Sequence, residues 1–195
     1  METIILASTS PRRSEILTNL GIPFITIAPP FAEIIPHKMK TKDIPAYFAM
    51  EKARSVISVM QEQHKESIIL GVDTIVVCNN IMYGKPKDCK DAENTLKMLS
   101  GKKHTIITGI AAFNQKTQTM ISATSINTIK VAQLTQKDID WYLSKDEWCD
   151  AAGSYKIQGL FQRYIIELNG SFSSVMGLPI FELYDILIKH KYELT

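Results

Sequence analysis

Short runs of aliphatic and β-branched residues alternate along this chain with stretches in which apolar positions recur every three or four residues, so strands and helices interleave. Ile4-Ile5-Leu6-Ala7 is a continuous apolar run of the length of a buried strand. Small residues follow, and over residues 11 to about 20 Ile16, Leu17 and Leu20 recur at helical spacing. Ser10 suits the N-cap of that helix and Pro11 its first position, where the missing N–H costs nothing, and Gly21 suits its stop. Residues 24–28 read as a strand ending at Pro29-Pro30. A second helix is expected over residues 45 to about 60, with Asp43 near its cap and Ala49, Ala53, Val56 and Met60 as its apolar stripe. Residues 67–77 read as a long buried strand that turns at Asn79-Asn80 and returns through Ile81-Met82-Tyr83.

Asp88 is a plausible cap for a third helix, with Ala92, Leu96 and Leu99 inward and Gly101 as its stop. Residues 104–113 and 120–131 alternate β-branched and polar positions around Asn114-Gln115-Lys116-Thr117, the pattern of a long hairpin. Thr135 with Asp138 caps a short helix through Leu143. Residues 164–168 read as a strand, Asn169-Gly170 as a tight turn, and residues 171–176 as the partner strand. Gly177-Leu178-Pro179 introduces a last helix whose Ile180, Leu183, Leu187 and Ile188 seek the core. No repeat, linker or low-complexity segment interrupts the pattern. The expectation is one α/β unit over residues 1–195 with antiparallel additions.

Composition narrows the function classes. A chain of 195 residues, 45% hydrophobic and 22% charged with a formal net charge of +2, is ordinary for a globular protein and large enough for a full core. No long basic block argues for nucleic acid as a partner. The apolar run after Met1-Glu2-Thr3 is too short for a signal peptide or a membrane span, so no membrane association is expected. Cys78, Cys89 and Cys149 show neither paired spacing nor a CxxC, which fits a reducing, cytoplasmic setting. The four histidines are scattered and give little support to a zinc site or a Ser–His–Asp triad.

The chemistry sits at a few positions. Arg12 and Arg13 fall in the first turn of the first helix, at the positive end of its dipole, where an anion is favoured and a cation costs roughly 0.3–1 kcal/mol. A bound polyanion would relieve that conflict. Asp73-Thr74 lies inside an apolar strand, where a carboxylate needs a cation, a hydrogen-bond network or a neutralising proton. Asp73 is either a structural pairing or a general base or metal ligand. Lys52 borders the apolar stripe of the second helix, as a snorkelling lysine or one that reaches a neighbouring site. Lys85, between Gly84 and Pro86, sits in a constrained loop that could meet a phosphate, although no full phosphate-loop pattern surrounds it. Glu33, in an apolar loop, is solvated or functional. Gln158, before Gly159, is a structural hydrogen-bonding residue or an amide that reads a base edge.

Ser8-Thr9-Ser10-Pro11-Arg12-Arg13, Gly71-Val72-Asp73-Thr74, Gly84-Lys85-Pro86, Ser100-Gly101, the run from Ala152 to Gly159, Asn169-Gly170-Ser171 and Gly177-Leu178-Pro179 stand here in the order found in the Maf family. Across nearly the whole chain the sequence resembles a Maf nucleoside triphosphate pyrophosphatase, and its dTTP/UTP-hydrolysing branch more than its 7-methyl-GTP branch. That resemblance implies an ITPase-like fold, a long curved mixed sheet flanked by helices with two lobes and a central cleft. It implies hydrolysis of dTTP or UTP, with CTP or modified pyrimidine nucleotides as further substrates, to the monophosphate and pyrophosphate. A divalent cation, Mg2+ or Mn2+, would assist, held through Asp73 and Glu33. By the same likeness Asp73 would be the proton acceptor, and Ser8, Ser10, Arg12, Arg13, Glu33, Lys52 and Lys85 would line the polar site. Arg12, Thr74 and Gln158 match the positions that select substrate in the dTTP/UTP branch. The partner is then the nucleotide, in a monomer or homodimer. The alternative is a nucleotide-binding regulator of septum formation with little catalysis.

Overall fold

The computed structural model describes residues 2–61, 64 and 66–193. Its elements run β1 (Ile4–Ala7), α1 (Pro11–Asn19), β2 (Phe24–Thr26), α2 (Ile44–Ser55), β3 (Ile68–Cys78), β4 (Ile81–Tyr83), α3 (Cys89–Leu99), β5 (Lys103–Asn114), β6 (Thr119–Val131), α4 (Gln136–Leu143), β7 (Ile165–Asn169), α5 (Phe172–Met176) and α6 (Ile180–Lys189). The strands form one seven-stranded sheet in the order β2-β1-β3-β5-β6-β7, with β4 paired to β3. β1 runs parallel to both β2 and β3, while β4 and β7 are antiparallel to β3 and β6. This is the mixed α/β architecture that the alternating pattern predicts. Among the described residues, no helix is long and apolar enough to cross a membrane.

The chain divides into two compact units, Met1–Asp73 with Thr108–Ser125 and Gly177–Thr195, and Thr74–Ile107 with Ile126–Met176. In the first, Ile5, Ala7 and Ile69 of the sheet pack with Ala53 and Val56 into a buried cluster. α2 lies directly on the sheet because two strand positions lack a side chain. A Cβ on Gly71 would overlap the carbonyl oxygen of Ala49, and one on Gly109 would overlap the backbone at Pro45 and Ala46. The close approach fixes the height of α2 over β3.

In the second unit α3, α4 and the strands around Val76, Ile106 and Ile129 enclose an aromatic core. Tyr155 stacks on Phe161 with centroids 4.5 Å apart, and Tyr142 meets Phe161 edge-on at 4.9 Å. The predicted caps form here. Asp88 accepts the Asp91 N–H at 2.8 Å, and Thr135 with Asp138 makes a reciprocal capping box. Asn79 and Asn80 both take positive φ, 51° and 62°, as a two-residue hairpin turn requires.

Several expectations are corrected. Residues 171–176 form α5 rather than a strand, because the Ser171 hydroxyl accepts the Ser174 N–H at 3.3 Å and the Ser171 N–H is spent on Asn127 Oδ1 at 2.7 Å. β7 starts one residue late, behind a 3-10 turn at Leu160–Tyr164. α2 ends at Ser55, where hydroxyls take helix carbonyls: Ser55 Oγ donates to Lys52 O and Ser58 Oγ to Ser55 O. In α6 Ile186 is buried while Ile188 faces outward, so its stripe follows Leu183, Ile186 and Leu187. Asp43 precedes α2 but makes no side-chain cap, because a 3-10 turn, Thr41–Asp43, leads into the helix.

His104 is the one buried histidine of the second unit's described core, and burial pushes its ring down to about 4. An unfolded histidine binds its proton near 6.5. As pH falls from about 6.5 toward 4, the unfolded chain takes up a proton that the folded chain does not. Stability therefore drops across that window, by about 3 kcal/mol in all. Glu93 is held down to about 2 by hydrogen bonds from Lys90, Lys97 and Gln136, so its contribution is lost only as pH falls below its ordinary 4.5. Urea titrations between pH 7 and 4.5 should show the first loss, and His104→Phe should flatten that slope whatever it does to stability at pH 7.

Candidate active site

β1 ends at Ala7 and the chain turns at once, with the Ser8 N–H bonded back to Leu6 O at 2.9 Å. Ser8 is buried at the strand's end. Its hydroxyl accepts the Ser10 N–H at 3.2 Å and Nη1 of Arg13 at 2.9 Å. Ser10 occupies the N-cap position of α1 in an extended conformation, but its side chain makes no capping bond and no acidic residue stands in the first turn. The capping role expected of Ser10 is therefore positional only. Its N–H is drawn to Ser8, and the first turn of α1 carries two arginines and no acidic residue.

Arg13 is half-buried and latched at both ends of its guanidinium. Nη1 bonds Ser8, and Nε donates to Gly177 O at 2.9 Å, the turn just before α6. Burial lowers its pKa to about 10; Arg12 adds to that drop, and Asp73 and Glu33 oppose it. It stays a cation at neutral pH. Arg12, half-buried beside it, shares the same electrostatic neighbourhood.

Lys52 completes this side of the site. Its side chain leaves the buried face of α2, and Nζ lies 2.6 Å from Asp73 Oδ1 and 2.6 Å from Glu33 Oε1. Asp73 and Lys52 are both nearly inaccessible, at 6% and 9%, whereas Glu33 is exposed. Gly71, two residues before Asp73, admits α2 against β3, which is what lets Lys52 reach the carboxylate. The loop that carries Glu33 is tied to the same helix by Phe31, which packs edge-on against Phe48 at 5.6 Å. Phe48 and Lys52 are one helical turn apart, so ring and ammonium sit on one face. The structure thus brings Ser8, Ser10, Arg12, Arg13, Glu33, Lys52 and Asp73 together in the first unit. Lys52 does not extend to solvent: its ammonium is turned to Asp73 and Glu33. Asp73 is paired, and its partner is one that a polyanion could compete for.

The remaining predicted residues belong to the second unit. Thr74 follows Asp73 along β3 and is half-buried. Lys85 is exposed, with Nζ 3.2 Å from Asp150 Oδ1. Gln158 is half-buried, and among the described residues its amide makes no hydrogen bond. Its segment is anchored around it: Gly153 takes φ +73° with its N–H on Gly84 O, the Lys156 N–H meets the Tyr142 hydroxyl, and Gln162 Nε2 bonds Ile157 O. Sequence reasoning passed over Asp150, the Gly177 carbonyl and the His104–Tyr155 pair. Only the last had a signal, because His104 falls on the inward parity of β5 with Ile106, Thr108 and Ile110.

The donor set can be tested against a divalent cation. Among the described residues no group of three or more His, Cys, Asp and Glu side chains assembles for a metal. Asp73 and Glu33 nevertheless converge on one positive charge with one oxygen each. Mg2+ is commonly bound by one or two carboxylates plus substrate phosphates and water, and this pair fits that habit.

A family model described as Maf-like protein matches residues 3–190. The dTTP/UTP pyrophosphatase of Clostridioides difficile is 40% identical over 96% of this chain and 94% of its own length. That of Aquifex aeolicus is 39% identical over 94% and 93%, and that of Treponema denticola 37% identical over the full length of both. Among solved structures, that of the Staphylococcus aureus Ham1 protein aligns with 67% of this chain and 72% of its own at a TM-score of 0.46 and 11% identity. The glycine that seats α2, the carboxylate beyond it and the arginines at the start of α1 all lie within the matched span, and the chain belongs to the Maf family.

Proposed function

We propose that this chain is a nucleoside triphosphate pyrophosphatase that hydrolyses dTTP and UTP to the monophosphate and pyrophosphate, with CTP and modified pyrimidine triphosphates as further substrates. The observation that carries the reading is the buried Asp73–Lys52 pair, joined by the exposed Glu33 and beside Arg12 and Arg13, in a chain alike from end to end to proteins named dTTP/UTP pyrophosphatases.

The chemistry follows from charge. Ser8, Ser10, Arg12, Arg13, Lys52 and Lys85 supply hydroxyls and cations for a triphosphate, and the start of α1 adds its dipole. In the free protein Lys52 compensates both carboxylates. A triphosphate offers its ammonium a richer set of oxygens, and its turn toward phosphate leaves Asp73 able to accept a proton. Asp73 orients a water and takes its proton as the water oxygen bonds to the α-phosphorus; the bond to the bridging oxygen breaks in line, and pyrophosphate leaves with the electron pair. No covalent nucleophile is required. Asp73 and Glu33 would hold a divalent cation, Mg2+ or Mn2+, which when bound neutralises phosphate charge. Arg12, Thr74 and Gln158 select the base; the amide of Gln158 offers a donor and an acceptor together, the complement of the imide edge of uracil and thymine. The reaction belongs with the cytoplasmic nucleotide pool, where three unpaired cysteines persist.

The test is a panel of triphosphates with the purified protein and Mg2+ or Mn2+, in which pyrophosphate and monophosphate are measured together. Pyrophosphate in equal amount to monophosphate, fastest with dTTP and UTP and abolished by EDTA, is the expected result. Release of orthophosphate in place of pyrophosphate would overturn the α–β cleavage. Tight nucleotide binding with no hydrolysis would favour the regulatory alternative.

A further inference from the structure

We propose that His104 and Tyr155 are positioning residues for base selection, the buried hydrogen bond between them holding in place the segment that presents Gln158. The inference rests on the reading of Gln158 given above. His104 Nε2 and the Tyr155 hydroxyl are 2.7 Å apart, with the rings edge-on at 5.6 Å. Tyr155 is three residues before Gln158 on a segment with little regular structure of its own. Gly153 and Ser154 both take positive φ there, and for serine that conformation persists only where the surroundings enforce it.

The ties that hold this segment at Gly153, Lys156 and Ile157 act on its backbone, and none of them acts on the Tyr155 side chain. The Tyr155 ring is stacked on Phe161, with planes 29° apart, a contact that sets the plane of the ring but offers its hydroxyl no partner. The bond from its hydroxyl to His104 ties the ring to β5, a long strand paired on both sides. The pair also carries a cost that packing would not justify. His104 is 3% exposed and its Nδ1 has no hydrogen-bond partner, so an aromatic or aliphatic residue would satisfy the core better. What the histidine adds is direction. Gln158 makes no hydrogen bond of its own among the described residues, so its amide stands wherever residues 153–159 place it.

Three variants test this: Tyr155→Phe, which removes one hydroxyl and keeps the stack, His104→Phe, and the two combined. Amide deuterium exchange of the free protein is measured over residues 153–159, and kcat and KM are measured for dTTP and dATP. Each single variant should speed exchange in that segment about tenfold and lower the preference for dTTP over dATP about fivefold to tenfold, the scale of one hydrogen bond, through KM for dTTP with kcat little changed. The combined variant should do no worse than either single one, because both remove the same bond. Unchanged exchange in Tyr155→Phe would overturn the proposal, as would faster exchange with an unchanged preference, or losses that multiply in the combined variant. A merely structural pair would lower melting temperature and leave the dTTP/dATP ratio alone. Absence of pyrophosphate release from the unaltered protein would strike the proposed activity instead, and the exchange measurement, which needs no substrate, would still report whether the bond holds the segment.

Discussion

Asp73→Asn should lower kcat for dTTP about a thousandfold while the protein stays folded and binds nucleotide. The magnitude follows from removing a general base, which typically contributes a hundredfold to ten-thousandfold. Asparagine has nearly the shape of aspartate, so the packing between β3 and α2 survives. Lys52 keeps Glu33, 2.6 Å away, as a counter-charge, so no buried cation is orphaned. The melting temperature should therefore remain near that of the unaltered protein, and KM should move little, because the cations that would hold the triphosphate are untouched. Steady-state kinetics and a thermal melt on the same sample check both halves. Activity within tenfold of the unaltered protein would remove Asp73 from the role of proton acceptor. If Asp73 also holds the divalent cation, the variant will need a higher concentration of Mg2+ to reach its residual rate, which a metal titration separates from the loss in kcat.

The features legible in the sequence were those fixed by local chemistry. The caps at Asp88 and Thr135, the Asn79-Asn80 turn and the stop at Gly101 each depend on a residue whose preferred backbone or side-chain bond acts over three or four positions. The long strands were legible because their alternation is strong. Asp73 stood out for the same reason, as an anion in an apolar strand. What escaped was set by distant partners. Ser171-Phe172-Ser173-Ser174 alternates like a strand, but Asn127, 44 residues away, takes its first N–H and turns it into a helix. The pairing of Lys52 with Asp73 could not be read from either residue, because it depends on two glycines that lower α2 onto the sheet. Glu33 is a similar case: its place follows from Phe31 packing on Phe48, a contact with no local signature. The sequence does hold these glycines, and Gly71 stands within the Gly71-Val72-Asp73-Thr74 motif, yet only the structure gives the glycine its reason.

Lys52→Met is expected to be the most destabilising of the substitutions considered, at about 3 kcal/mol, within the range for removing one partner of a buried ion pair. Methionine fills the space of the lysine stem, so packing on α2 is largely kept and the loss is electrostatic. Asp73, 6% exposed, would be left with its nearest counter-charge gone, while Glu33 is exposed enough to turn to water. Arg13 acts on Asp73 but is committed to Ser8 and Gly177, so it compensates only in part. Lys52→Met with Asp73→Asn removes the buried anion together with its cation, and it should therefore be more stable than Lys52→Met alone although it carries one more change. Chemical denaturation of the two single variants and the combined one measures the coupling directly. Additive losses would mean that the two groups do not compensate each other in solution, and that the 2.6 Å contact contributes nothing to holding α2 over β3.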